Sequence, residues 1–265
     1  MLDVPQEQVG RWDHFFDRGG TSLSAVKLAI ALDRKVSLAD LTQHPVLADL
    51  AAFIDGRSER RPGLLHALSE PNGVARRALI CFPYAAGNAV VFRPMAAALR
   101  DSGLDVYAVE LPGHDLTVEP EPLASMERVV EQVVSEITAR DLNGVLLWGH
   151  SAGAAFAAAT ARALQERNVP VERLFVGAEL LGNSVERYAA IRELNGRSAA
   201  AIATALTEDD GYTALGELDA RRATHVGAAF RHDWLSAHHY LAAALGEHME
   251  IDVLGEELPV PVPVR

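Results

Sequence analysis

Between residues 78 and 176 the chain alternates short apolar runs with helical stretches, and this rhythm restricts the possible folds more than any other feature. Ala78-Leu79-Ile80-Cys81-Phe82 and Val106-Tyr107-Ala108-Val109 predict buried strands, each closed by a proline or glycine turn. Met126, Val129, Val130, Val133, Val134 and Ile137 recur at helical spacing. Val145-Leu146-Leu147-Trp148 returns to strand, Ala152 to Leu164 predicts a helix of small residues, and Arg173-Leu174-Phe175-Val176 predicts a fourth strand. Strands separated by helices must cross over to pair in parallel, so the expected class is α/β, with a parallel sheet covered on both faces. Residues 183–247 break the rhythm with helix-prone, charged segments and predict a helical lid or insertion. There is no internal repeat.

The first 57 residues have a different character. Leu23, Val26 and Ile30 lie on one helical face within Ser22–Leu32, and a short segment, Ser37 to Leu41, follows. After the breaker His44-Pro45, a second face carries Val46, Leu47, Leu50, Ala51 and Ile54. The polar run Asp55 to Gly63 then reads as a linker. The expected organisation is a small all-α unit over 1–57, a linker and domain entry over 58–74, and an α/β unit over 75–265. The 265 residues accommodate one large or two unequal domains. A net charge of −12 argues against phosphate-backbone and anionic-membrane partners. A single cysteine, Cys81, cannot form an internal disulfide and fits a reducing compartment. Residues 142–161 lack Asp, Glu, Lys and Arg, yet Asn143, His150, Ser151 and three glycines make them a poor membrane span. Met1 to Glu7 has no apolar signal core, and a cytoplasmic protein is expected.

Three places carry chemistry. Gly149-His150-Ser151-Ala152-Gly153 fits G-x-S-x-G between a strand and a helix. That turn is tight enough to demand small flanking residues and lifts the serine Oγ above the strand ends. Ser151 is therefore the candidate nucleophile, with the N–H of Ala152 facing a tetrahedral oxyanion; the bland alternative is a helix-capping serine. In Phe82-Pro83-Tyr84-Ala85-Ala86-Gly87, Ala85 is the candidate second oxyanion donor, against an ordinary strand-ending turn. In Phe15-Phe16-Asp17-Arg18-Gly19-Gly20-Thr21-Ser22-Leu23, capping preferences alone make Thr21 or Ser22 a helix N-cap after a glycine turn.

This last segment resembles the phosphopantetheine attachment motif of peptidyl carrier proteins, close to F-F-D-x-G-G-x-S-L, and His44-Pro45 with its following helix resembles the later part of that domain. The resemblance covers about residues 3–56. It implies that Ser22 carries a 4'-phosphopantetheine arm holding an acyl thioester, installed by a phosphopantetheinyl transferase. Ile80 to Gly87, Val109-Glu110-Leu111-Pro112-Gly113-His114 and Gly149 to Gly153 occur in the order of the thioesterase domains of nonribosomal peptide synthetases. Phe230-Arg231-His232-Asp233-Trp234 resembles a lid segment of the editing (type II) subgroup. These matches cover about 64–265 and imply an α/β-hydrolase fold. A carrier followed by a thioesterase is the termination end of such an assembly line, with upstream synthetase domains as partners. Ser151 would take the acyl or peptidyl chain from Ser22 as an oxyester and release it by hydrolysis or cyclisation.

Two departures from the family pattern bear on activity. Set against the resemblance, the helix that usually opens the carrier is expected to precede Met1, and the triad acid and histidine are not expected among these residues. The acid position after the fourth strand reads Ala178, with Glu179 one residue out of register. Leu258 to Arg265 resembles the approach to the strand that bears the acid in the editing subgroup, so acid and base are expected beyond Arg265. His225, His232, His238, His239 and His248 read as lid or surface histidines, His150 as part of the elbow backbone, and Asp115 as a turn residue. No metal site is expected: His238 and His239 point about 100° apart on a helix, and no ligand set has recognisable spacing. The competing reading is a carrier fused to an incomplete hydrolase that holds or docks an acyl chain without releasing it.

Overall fold

The computed structural model describes residues 8–32, 35–55, 63–69, 77–117, 121–140, 142, 144–178 and 184–246. Three helices open the chain: α1 (Ser22–Ala31), α2 (Leu38–Gln43) and α3 (Leu47–Asp55). Ala25, Ala29, Val36, Leu38, Leu41 and Leu50 form their core, with Phe15, Phe16 and Leu28 packed against it. The α1 face differs from the expected one. Ala25, Val26 and Ala29 turn inward while Ile30 is exposed, because alanines on the inner face let α1 approach its neighbours closely. On α3, Leu50 is buried and Leu47 exposed.

Five strands make one sheet in the order β1-β3-β2-β4-β5: β1 (Leu65–Ala67), β2 (Arg77–Phe82), β3 (Asp105–Val109), β4 (Gly144–His150) and β5 (Val171–Gly177). The predicted strands lie within β2 to β5, which pair in parallel. The sheet is nevertheless mixed, because β1 runs antiparallel to β3 from within the stretch expected to be linker and domain entry. Three residues carry too little pattern to be read as a strand. Glu136 anchors them from the neighbouring helix by accepting Leu64 N–H at 2.7 Å and Leu65 N–H at 3.1 Å.

Alternate strand residues serve opposite layers. Ala78, Ile80, Phe82, Val145 and Leu147 join the larger core with the valine stripe of α5 (Met126–Ala139) and with Phe156 and Leu164 of α6 (Gly153–Glu166). Leu79, Cys81 and Leu146 face a smaller core built with Ala89, Phe92 and Ala96; the last belongs to α4 (Arg93–Ala98). The expected two-sided cover stops at β5, where Leu174, Phe175 and Val176 are all exposed. That strand is the sheet edge among the described residues. The lid is helical as expected: α7 (Ser184–Asn195), α8 (Ala199–Leu206), a 3-10 segment (Asp210–Glu217) and the long α9 (Ala220–Gly246). Among the described residues no helix is long and apolar enough to cross a membrane.

Candidate active site and carrier attachment site

Ser151 sits between the end of β4 and the start of α6 with φ 50°, a left-handed conformation costly for a residue with a side chain. Its N–H donates to Gly177 O at 2.8 Å and its carbonyl accepts Ala154 N–H at 2.8 Å, so the turn is tied to β5 and to α6. The flanking glycines are needed for space. A Cβ on Gly149 would overlap the backbone of Ala154, and one on Gly153 the carbonyls of Phe82 and Pro83. The elbow therefore packs directly on the loop that follows β2.

That loop holds the other oxyanion candidate. Ala86 also has a left-handed φ, 58°, and its N–H donates to Asp233 Oδ2 at 2.9 Å. Ala85 O accepts from Tyr212 Oη–H at 2.6 Å. Among the described residues no hydrogen bond engages the N–H of Ala85 or of Ala152. These are the two donors expected of an oxyanion hole, and both residues are buried. An aromatic chain links the lid to this loop and to the elbow. Phe230 meets Tyr212 edge-on at 5.8 Å, Tyr212 meets Tyr84 at 5.4 Å, and Tyr84 meets His150 at 5.8 Å.

Asp233 of α9 has further partners. His114 Nε2 lies 2.7 Å from Asp233 Oδ2, and His114 Nδ1 lies 3.2 Å from Pro112 O. Both neighbours are acceptors, so the ring donates from both nitrogens as an imidazolium. Burial pulls the His114 pKa down, but the charge and hydrogen bond of Asp233 outweigh it and leave the pKa raised. Burial pushes Asp233 up, and His114 reverses this, leaving its pKa lowered. His232 Nδ1 adds a contact to Asp233 Oδ1 at 3.1 Å, and His225 Nε2 donates to Gly113 O at 2.5 Å. His225 of the lid thus reaches the hydrolase core, whereas His232 contacts its own helix neighbour and His238 stacks on Trp234 at 3.5 Å. His248 lies outside the described residues. Sequence reasoning singled out the segments of His114 and Asp233 but not the pair. The two are 119 positions apart, and no spacing rule links them.

Among the described residues no hydrogen bond reaches Ser151 Oγ, and His150 points to Tyr84 instead. Ala178 follows β5 with φ 54°, and Glu179 lies outside the described residues. Asp115 is a turn residue as expected, accepting Thr117 N–H at 2.8 Å, but its other oxygen accepts Leu38 N–H at 2.9 Å.

That last bond crosses to the amino-terminal helices. Val90 completes their core, Arg93 donates to Thr42 O and lies 4.4 Å from the Phe16 ring centre, and Thr117 Oγ1 also accepts Leu38 N–H at 3.0 Å. At α1, Thr21 takes the cap: its Oγ1 accepts Ser24 N–H, and Ser24 Oγ accepts Thr21 N–H in return. Ser22 is thereby free of capping, half-buried, and its hydroxyl donates to Asn88 Oδ1 at 3.4 Å. A hydroxyl at the first position of a helix, unused by the backbone, fits covalent attachment of a phosphopantetheine phosphate. Asn88 is three residues beyond Ala85, at most about 11 Å of main chain.

Two family models match segments of this chain. Residues 1–54 match the family model described as phosphopantetheine attachment site, and residues 77–179 match the thioesterase domain. In that order on one chain they mark a phosphopantetheine-attachment segment followed by a thioesterase-domain segment with an α/β-hydrolase fold.

Indigoidine synthase of Dickeya dadantii (strain 3937) is 28% identical over 178 residues, covering 65% of this chain and 12% of the synthase. The nonribosomal peptide synthetase kk1B of Curvularia clavata is 59% identical over 51 residues, or 18% of this chain. The chain spans 12% or less of the length of these curated relatives. Among solved structures, the type II thioesterase BorB of the borrelidin cluster is 26% identical with a TM-score of 0.46, covering 68% of this chain and 71% of its own.

Proposed function

We propose that this chain is a carrier-linked thioesterase of nonribosomal peptide synthesis. A carrier unit, 1–57, presents an acyl or peptidyl chain on Ser22, and a hydrolase unit, 75–265, receives it on Ser151. The observation that carries the reading is the convergence on one loop. The loop after β2 packs on the elbow through Phe82 and Pro83 and carries Ala85, whose N–H no described residue engages, and Asn88 of the same loop holds the Ser22 hydroxyl. When bound, 4'-phosphopantetheine supplies a thiol that carries the acyl chain as a thioester. Ser151 Oγ attacks the thioester carbonyl, and the oxygen gains negative charge opposite the Ala85 and Ala152 N–H groups. Collapse of the tetrahedral adduct leaves an oxyester on Ser151 and releases the thiol, which takes up the serine's proton. Water or an internal nucleophile of the chain then attacks the oxyester and frees the product. For this chain to act alone, the base that moves these protons must lie among its own residues outside the described ones.

Upstream synthetase domains would supply the acyl chain, and a phosphopantetheinyl transferase would modify Ser22. The second reading, a carrier on an incomplete hydrolase, is favoured by the absence of any described imidazole bonded to Ser151. Loading Ser22 with a radiolabelled aminoacyl thioester separates the two. Release of free acid or cyclic product, lost in Ser151→Ala, supports the thioesterase; label that persists on Ser22 supports the carrier alone.

A further inference from the structure

The Ala85–Ala86 peptide unit is held at both of its polar ends by the lid. Its carbonyl accepts from Tyr212 Oη at 2.6 Å, and its N–H donates to Asp233 Oδ2 at 2.9 Å. A single peptide plane with both groups fixed has no freedom to rotate, and Ala86 is held at φ 58°, a conformation an alanine leaves when nothing restrains it. This plane shares the Ala85 Cα with the peptide that carries the Ala85 N–H, so fixing it restricts where that N–H can point. Capture of the Ala86 N–H by a carboxylate also leaves Ala85 as the free donor of the pair. Asp233 is 1% exposed and is itself fixed by His114 and His232. Tyr212 is fixed by edge contacts with Tyr84 and Phe230. Both grips come from the lid, one from α9 and one from the 3-10 segment before it, so movement of the lid away from the loop would break them together.

We propose that Asp233 and Tyr212 are positioning residues of the oxyanion loop, so that the lid must be seated for the Ala85 N–H to face the substrate carbonyl. Neither touches the reacting atoms. The proposal rests on the reading of Ser151 as nucleophile and Ala85 as oxyanion donor. It also makes lid position a control on acyl transfer itself, beyond any control on entry.

Tyr212→Phe keeps the ring contacts and removes the one hydroxyl. Asp233→Asn leaves a buried imidazolium without its counter-charge and can unfold the lid, so Tyr212→Phe carries the main test. In the full chain, the rate constant for labelling of Ser151 by a fluorophosphonate is expected to fall about 10-fold in Tyr212→Phe, less than complete loss of an oxyanion donor. Amide hydrogen exchange in the peptide containing residues 84–87 is expected to rise, with the thermal midpoint almost unchanged. A double variant should lose less than the product of the two single losses, because both side chains act on one peptide unit. Labelling at the wild-type rate with unaltered loop exchange in Tyr212→Phe overturns the proposal. So does a labelling loss matched by general unfolding and no local rise in exchange. If the wild-type chain does not label at all, the nucleophile reading fails, and the exchange of residues 84–87 alone decides whether the lid holds this loop.

Discussion

At the scale of single residues, space and charge give the sharpest expectations. Gly153→Ala would drive a methyl into the carbonyls of Phe82 and Pro83, which are main chain and have little room to give. It should cost about 3 kcal/mol of unfolding free energy by urea titration. Thr21→Ala should cost about 1 kcal/mol through loss of the α1 cap, yet leave modification intact. Ser22→Ala should retain stability and lose all mass gain with coenzyme A and a phosphopantetheinyl transferase.

The His114–Asp233 pair gives a two-sided pH dependence. The raised pKa of His114 contributes stability in full below its ordinary 6.5, and that contribution is lost as pH rises through the raised value. The lowered pKa of Asp233 contributes above its ordinary 3.8, and this is lost as pH falls through the lowered value. The thermal midpoint of the wild type relative to His114→Gln should therefore be highest between pH 3.8 and 6.5 and decline on both sides. Glu110 acts differently, because burial pushes its carboxyl up to about 8. The folded state then loses stability as pH rises from the ordinary 4.5 through that value, and Glu110→Gln should flatten the slope.

At the scale of elements, the sequence made the strands and α5 readable because their apolar residues are sorted by strict periodicity. Met126, Val129, Val130, Val133, Val134 and Ile137 are all buried, as their spacing predicts. Ile137→Ala should cost about 2–5 kcal/mol, measured by denaturant unfolding. The elbow was legible for a related reason: steric demands at a strand-to-helix turn are written in adjacent residues. β1 was not, since three residues carry no pattern and their strand state comes from pairing with the distant β3. The grip of the lid on Ala85 and Ala86 was equally hidden. It joins Tyr212 and Asp233 to a loop 127 and 147 positions earlier, and only the fold brings them together. The α1 face was misjudged by one position because hydropathy favours Ile30, whereas close packing selects Ala25 and Ala29.

At the scale of the whole molecule, the carrier helices and the hydrolase share a core through Val90 and a set of polar bonds at Asp115, Thr117 and Arg93. Arg93 is buried enough that its pKa falls to about 10, so its bond to Thr42 O and the Phe16 ring are its compensation for lost water. Asp115→Ala combined with Arg93→Met should loosen this interface, seen as a larger radius of gyration in solution scattering with helix content unchanged. An unchanged radius would mean that these bonds do not hold the two units together.

The central claim is that Ser151 is the acyl acceptor of a carrier-linked thioesterase. Its most direct test is intact-mass and peptide-mapping analysis of the full chain after treatment with a fluorophosphonate. The account predicts one adduct, on Ser151, absent in Ser151→Ala and unaffected by Ser22→Ala. No adduct, or an adduct on another serine, would contradict it and leave Ser22 as the one functional serine of a carrier.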